Sequence, residues 1–191
     1  MYTQNGCPPL FLVGPRCSGK TTLAGLLAER FGLSCLDTDA ILTAEAGMSV
    51  SEIVEREGWE AFRTRESRAL AAAALPGAVV ATGGGIVLDP QNRAFMRASG
   101  LVIYLDAPAE LLSERLARDC DAGRRPSLTG EKPEQEMVRV LAERAPLYRA
   151  SAHYRVDASP PPQAVLEAVA ALWGNVRSGV WTAIPSGASS A

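Results

Sequence analysis

The run Gly14-Pro15-Arg16-Cys17-Ser18-Gly19-Lys20-Thr21 constrains this chain more than any other feature. It matches GxxxxGK[ST], whose glycines let the backbone wind tightly around phosphate oxygens while successive N–H groups and a helix N-terminus point at the anion. From average residue frequencies its four fixed positions arise by chance in about one chain in a hundred of this length. Context narrows the match further. The apolar run Leu10–Val13 precedes it and reads as a strand, while Lys20–Phe31 follows with Leu23, Leu26, Leu27 and Phe31 on one helical stripe. In a strand–loop–helix unit of this kind, Lys20 reaches the β- and γ-phosphates of a nucleotide and the Thr21 hydroxyl ligates Mg2+. The loop alone leaves open whether the chain is a kinase, a switch or a sensor.

Further strands are expected over Ser34–Asp37, Ala78–Thr82, Leu101–Leu105 and Tyr154–Val156, and further helices over Glu60–Leu75, Pro108–Arg118, Glu134–Tyr148 and Gln163–Trp173. Strands alternating with helices read as a parallel α/β sheet. With 191 residues, 47% of them hydrophobic, one domain with a packed core is expected over residues 1–173. The stretch 119–132 (DCDAGRRPSLTGEK) is polar, rich in Gly, Pro and Arg, and lies between two helices as a mobile lid would. Residues 174–191 are mostly small and read as a flexible tail.

Charge and cysteine content remove several classes of function. A net charge of −2 and a pI near 5.5 give no cationic field for a nucleic-acid backbone. Leu10–Val13 is too short for a membrane span or a signal segment and no basic stretch precedes it, so the cytoplasm is expected. The cysteines 7, 17, 35 and 120 lack CxxC spacing and His153 is the sole histidine, which disfavours a zinc site or a disulfide framework.

Candidate acceptor groups stand at the ends of the later strands. Asp37 and Asp39 close the second strand, and in extended chain both carboxylates would face one side. One could hold a water of a magnesium shell and the other could take a proton from a substrate hydroxyl, or Asp39 could instead cap a helix over Ala40–Ala46. Arg63 and Glu66, at i and i+3, form either a solvated ion pair or a clamp in which the acid orients the arginine toward a carboxylate. Thr82-Gly83-Gly84-Gly85 ends the third strand without the acid that many P-loop enzymes carry there, and its glycines allow close backbone approach to a ligand. Arg124-Arg125-Pro126 and Arg144 add cations.

Taken in order, GPRCSGKT, DTD at Asp37–Asp39, FRTRE from Phe62, TGGG from Thr82, RRP from Arg124 and RAPLY from Arg144 resemble the shikimate kinase family over about Leu10 to Trp173. The resemblance implies a three-layer P-loop fold with a five-stranded parallel sheet in the order 2-3-1-4-5, an acceptor-binding region at about 38–75 and a closing lid. It implies a monomer that uses ATP and Mg2+ to phosphorylate the 3-hydroxyl of shikimate, without nucleic-acid or membrane partners. By the same resemblance Asp39 is the base and contacts the ring hydroxyls, Arg63 and Arg144 hold the carboxylate, and Gly84 contributes backbone hydrogen bonding. Lys20 and Arg125 would neutralise the transferring phosphoryl group, Thr21 would bind Mg2+ directly and Asp37 through a water. ATP would lie on Gly14, Pro15, Arg16, Cys17, Ser18, Gly19, Lys20, Thr21 and Thr22, with Arg118 stacked on adenine and Arg125 over the phosphates. Where the family usually lays a polar loop against adenine, this chain reads Ala158-Ser159-Pro160-Pro161-Pro162, which supplies few side-chain donors. The paired arginines and the triple glycine disfavour a kinase for another polyol acid such as gluconate on the same scaffold, and Asp39 with Arg63 and Arg144 disfavours a nucleotide sensor without turnover, which has no need of an acceptor-acid pocket.

Overall fold

Successive residues of an extended strand face opposite ways, so a strand buried at every position must be covered on both sides. Leu10–Val13 (β1) and Ala78–Ala81 (β3) are buried throughout, and Leu101–Asp106 (β4) at all but its last residue. The computed structural model describes residues 7–118 and 133–177 and places these strands at the centre of a five-stranded parallel sheet, ordered β2-β3-β1-β4-β5. Ser34–Asp37 (β2) and Tyr154–Asp157 (β5) form its edges and carry its exposed residues. The strand order is the one the resemblance implied.

Seven α-helices are described: Lys20–Phe31 (α1), Thr38–Ala46 (α2), Val50–Ala73 (α3), Pro90–Ser99 (α4), Ala109–Arg118 (α5), Pro133–Ser151 (α6) and Pro162–Arg177 (α7). They cover the sheet according to the strands' two-residue period. Leu10, Leu12, Leu101, Ile103 and Leu105 share a core with Leu27 of α1, Leu112 of α5 and Trp173 of α7. Phe11, Val13, Val80, Val102 and Tyr104 meet Leu70 of α3, Met96 of α4 and Tyr148 of α6 on the other face. Each such fully buried apolar side chain contributes about 1.5–3 kcal/mol relative to an exposed one. A smaller cluster, Leu42, Ile53, Phe62 and Ala69, fastens α2 to α3.

Several bounds differ from those expected. α3 starts at Val50, where Ser49 and Glu52 form a reciprocal capping box, and it breaks once, at Gly58 with φ 83°. Arg65 donates to both carboxylate oxygens of Glu57 across that break, at 3.0 and 2.9 Å. α4 was not expected at all, although Asp89 caps it and Pro90 opens it. α7 runs on to Arg177, past the point where the tail was expected to begin. The expected lid at 119–132, with Arg124 and Arg125, and the rest of the tail lie outside the described residues. No helix among the described residues is long and apolar enough to cross a membrane.

Candidate active site

At the end of β1 the chain turns through a loop whose conformation demands its glycines. Gly14 has φ 152°, and a Cβ there would sit 2.7 Å from the Leu105 carbonyl oxygen and 2.9 Å from Ser18 Oγ. Gly19, at φ 89°, is the N-cap of α1 and has no side chain to close the first N–H groups of that helix. Cys17 also adopts a left-handed conformation, φ 63°, which is unusual for a residue with a Cβ. The Lys20 ammonium folds back over the loop and donates to the carbonyls of Gly14 at 3.0 Å and Pro15 at 2.7 Å. It is therefore held at the mouth of the anion cradle.

The two acids of Asp37–Asp39 divide their work differently from the strand-based expectation. β2 ends at Asp37 and α2 begins at Thr38, so the two-residue alternation of a strand does not reach Asp39. Asp37, not Asp39, is the helix cap: its Oδ1 accepts from the N–H groups of Asp39 at 2.9 Å and Ala40 at 3.2 Å. Its Oδ2 accepts from the Thr21 hydroxyl at 2.9 Å. Thr21 and Asp37 thus form one oxygen-rich pair beside the phosphate loop, suited to a hard divalent cation.

Asp39 faces the triple glycine instead. A Cβ on Gly83 would lie 2.7 Å from Asp39 Oδ1 and 2.8 Å from Glu66 Oε1, and one on Gly85 would overlap the Arg63 guanidinium. At Gly84 the nearest contacts would be ordinary, from 3.6 Å. The glycines required for space are thus the outer two. Gly84 takes part through its carbonyl, which accepts from the Tyr148 hydroxyl at 2.6 Å and from Arg144 Nη1 at 3.3 Å. Gly83 N–H donates to Thr38 Oγ1 at 2.9 Å, which fixes the glycine run against the start of α2.

Arg63 and Glu66 are not a solvated pair. Glu66 is 2% exposed and accepts from Arg63 Nη1 at 2.6 Å, while the guanidinium lies 5.6 Å from the Trp59 ring and 5.2 Å from that of Phe62. Burial pushes the Glu66 carboxyl above its ordinary pKa, and the charge and hydrogen bond of Arg63 oppose that rise. Arg144 Nε is buried without a partner among the described residues, which leaves a cationic donor for an anionic ligand. Tyr148, which the sequence reasoning passed over, is fully buried and stacks on Tyr104 with ring centroids 5.1 Å apart. Burial pushes its hydroxyl up to about 12, so it stays a donor to Gly84.

On the other side of the phosphate loop is a cavity of about 350 Å³ bounded by Cys17, Gly19 and Thr22 on one wall and by Ala158, Pro160 and Pro162 on the other. Among the described residues, Arg115 is the arginine that lines it. Arg118, the expected adenine partner, has a side chain 80% exposed and pairs with Glu114 at 3.7 Å. Thr82 Oγ1, where an acid would stand in other P-loop enzymes, donates to the Leu12 carbonyl at 2.9 Å and stitches β3 to β1.

Comparison with known proteins points to one family. The family model described as shikimate kinase matches residues 16–173. Shikimate kinase 2 of Yersinia enterocolitica is 51% identical over 160 residues, 84% of this chain and 92% of that protein. Its counterpart from Syntrophotalea carbinolica is 50% identical over 157 residues, 82% of this chain and 91% of the relative. Among solved structures, a shikimate kinase from Acinetobacter baumannii in complex with shikimate superposes with a TM-score of 0.82 at 35% identity, covering 93% of this chain and 97% of that one. With the motifs in their order and the strands in theirs, the chain belongs to the shikimate kinase family.

Proposed function

We propose that this chain transfers the γ-phosphoryl group of ATP to the 3-hydroxyl of shikimate, giving ADP and shikimate 3-phosphate for aromatic amino-acid biosynthesis. The observation that carries the reading is the convergence of Asp39, the Arg63–Glu66 pair and Arg144 on Gly83–Gly85 beside the phosphate loop. A ring acid with hydroxyls needs cations at one end and a proton acceptor at the other, and this group supplies both. Arg63 and Arg144 hold the carboxylate, and Asp39 accepts the hydroxyl hydrogens and takes the proton as the oxygen attacks phosphorus. Lys20 leaves its loop carbonyls to meet the β- and γ-phosphates, and Arg125 adds positive charge to the transferring group.

Thr21 would hold Mg2+ directly and Asp37 through a water, and that cation supplies further neutralisation of the phosphate charge when bound. The protein's own part is alignment and exclusion of water that would otherwise hydrolyse ATP. The reading includes a monomeric cytoplasmic enzyme with no nucleic-acid or membrane partner, and the net charge of −2 offers no field for a nucleic-acid backbone. Purified protein should release ADP only when shikimate and Mg2+ are both present, and gluconate should not replace shikimate. Intact ATP binding without shikimate-dependent ADP release would favour a nucleotide sensor instead.

A further inference from the structure

Two of the ten residues of α4 are buried, and one of these is polar, Asn92. A buried amide needs partners for its hydrogens, and Asn92 finds them on two separate segments. Its Nδ2 donates to Ser67 Oγ of α3 at 3.0 Å and to the Ile86 carbonyl at 3.4 Å. The amide can face only this way round. A carbonyl can only accept, and the Ser67 hydroxyl gives its own hydrogen to the Arg63 carbonyl at 3.1 Å, which leaves it lone pairs with which to receive.

These two partners bracket Arg63. Ser67 stands about one helical turn after it on α3 and is bonded to its backbone, while Ile86 directly follows Gly85, whose missing Cβ leaves the space that the Arg63 guanidinium fills. The guanidinium is thus seated where α3 meets the glycine run, and one amide spans that same junction. α4 also serves the next two carbonyls, since Arg93 Nη1 donates to that of Val87 at 2.6 Å and that of Leu88 at 3.2 Å. A single 3-10 turn such as Ile86–Leu88 leaves its last carbonyls without donors of its own, so its shape depends on α4.

We infer that Asn92 is a positioning residue for the phosphoryl acceptor: by joining Ser67 to Ile86 it sets the gap between α3 and Gly85 in which the Arg63 guanidinium lies, and so aims that guanidinium at the acceptor's carboxylate. Arg93 keeps the shape of the turn, whereas Asn92 ties the turn to α3. The inference rests on the proposed role of Arg63 as a carboxylate clamp. A two-point contact between guanidinium and carboxylate is sensitive to angle, so a small widening of the gap weakens it while leaving the phosphate loop as it was.

The test measures steady-state kinetics of Arg63→Lys, Asn92→Leu, Ser67→Ala and Ser67→Thr, with thermal unfolding to show that each is folded. Arg63→Lys should raise the KM for shikimate; an unchanged KM there would overturn the clamp itself and this inference with it. Asn92→Leu, which keeps the volume and removes the amide, should raise the KM for shikimate about fivefold, and Ser67→Ala about threefold, with kcat and the KM for ATP changing by less than about twofold. Ser67→Thr returns the hydroxyl and should bring the KM back to within about twofold of the unaltered protein. In an Arg63→Lys background, Asn92→Leu should add less than about twofold, since the group through which it acts is already lost. A full effect of Asn92→Leu in that background, equal rises in the KM for both substrates, or an unchanged KM for shikimate in folded Asn92→Leu or Ser67→Ala overturns the inference while the clamp stands. Ser67→Ala breaks the same link with a good helix former, so it decides the question should Asn92→Leu fail to fold.

Discussion

A methyl group added at Gly85 would overlap the Arg63 guanidinium, whereas one added at Gly14 would press on the Leu105 backbone carbonyl at 2.7 Å. The two collisions differ in what can yield. A guanidinium is the far end of a flexible side chain, so Gly85→Ala should keep stability within about 1 kcal/mol while displacing the clamp and raising the KM for shikimate by about tenfold. Gly14 has φ 152° and faces backbone, so Gly14→Ala should cost about 2 kcal/mol or more. Thermal unfolding together with steady-state kinetics would separate them; a Gly85→Ala enzyme with unchanged KM would remove Arg63 from the acceptor site. At this scale the sequence named Asp39, Arg63, Gly84 and Arg144 through their motifs, but the steric need for Gly83 and Gly85 depends on side chains from elsewhere in the chain. Tyr148 and Arg115 stayed hidden for the same reason, since their partners lie 64 and 98 residues away in sequence.

Among the elements, α2 depends on a residue with two duties. Asp37 caps its N-terminus and also accepts from Thr21. Asparagine caps as well as aspartate, so Asp37→Asn should hold stability within about 0.5 kcal/mol. Without the charge, the Mg2+ concentration for half-maximal rate should rise by about tenfold, and an unchanged requirement would take Asp37 out of the metal shell. At the far edge of the sheet, His153 Nδ1 accepts from Val102 N–H at 3.0 Å, and burial, with the Arg97 charge, pushes its pKa down to about 4. The unfolded chain therefore takes up the proton first, so the stability contributed by neutral His153 is complete above about pH 6.5 and is lost as pH falls toward 4. Between pH 7 and 5 the protein should lose about 1–2 kcal/mol more than a His153→Asn variant, which keeps an acceptor and does not titrate. Equal slopes for the two would contradict this. The central strands and α1 were legible because burial on both faces or on one stripe leaves a strong apolar pattern. α4 left none, since only Asn92 and Met96 of its ten residues are buried, and the polar start of α3 is interrupted by Gly58.

Across the whole molecule, a parallel sheet brings the ends of all its strands to one side, and the strand order decides which ends are neighbours. β2 leads to Asp37 and Asp39, and β3 leads to Gly83–Gly85, the side on which the acceptor is proposed to bind. β1 leads to the phosphate loop in the middle, and β4 and β5 bound the cavity on its other side. Motifs scattered along the chain thus stand along one edge in the order that the proposed transfer from nucleotide to acceptor requires. The alternation of strands and helices made the sheet legible in the sequence, but the order of strands came only with the family resemblance. The most direct measurement follows the label from ATP carrying a radioactive γ-phosphate, with shikimate and Mg2+ present. The expected result is one labelled shikimate 3-phosphate for each ADP formed. Label released as inorganic phosphate, with none on shikimate, would contradict the assignment.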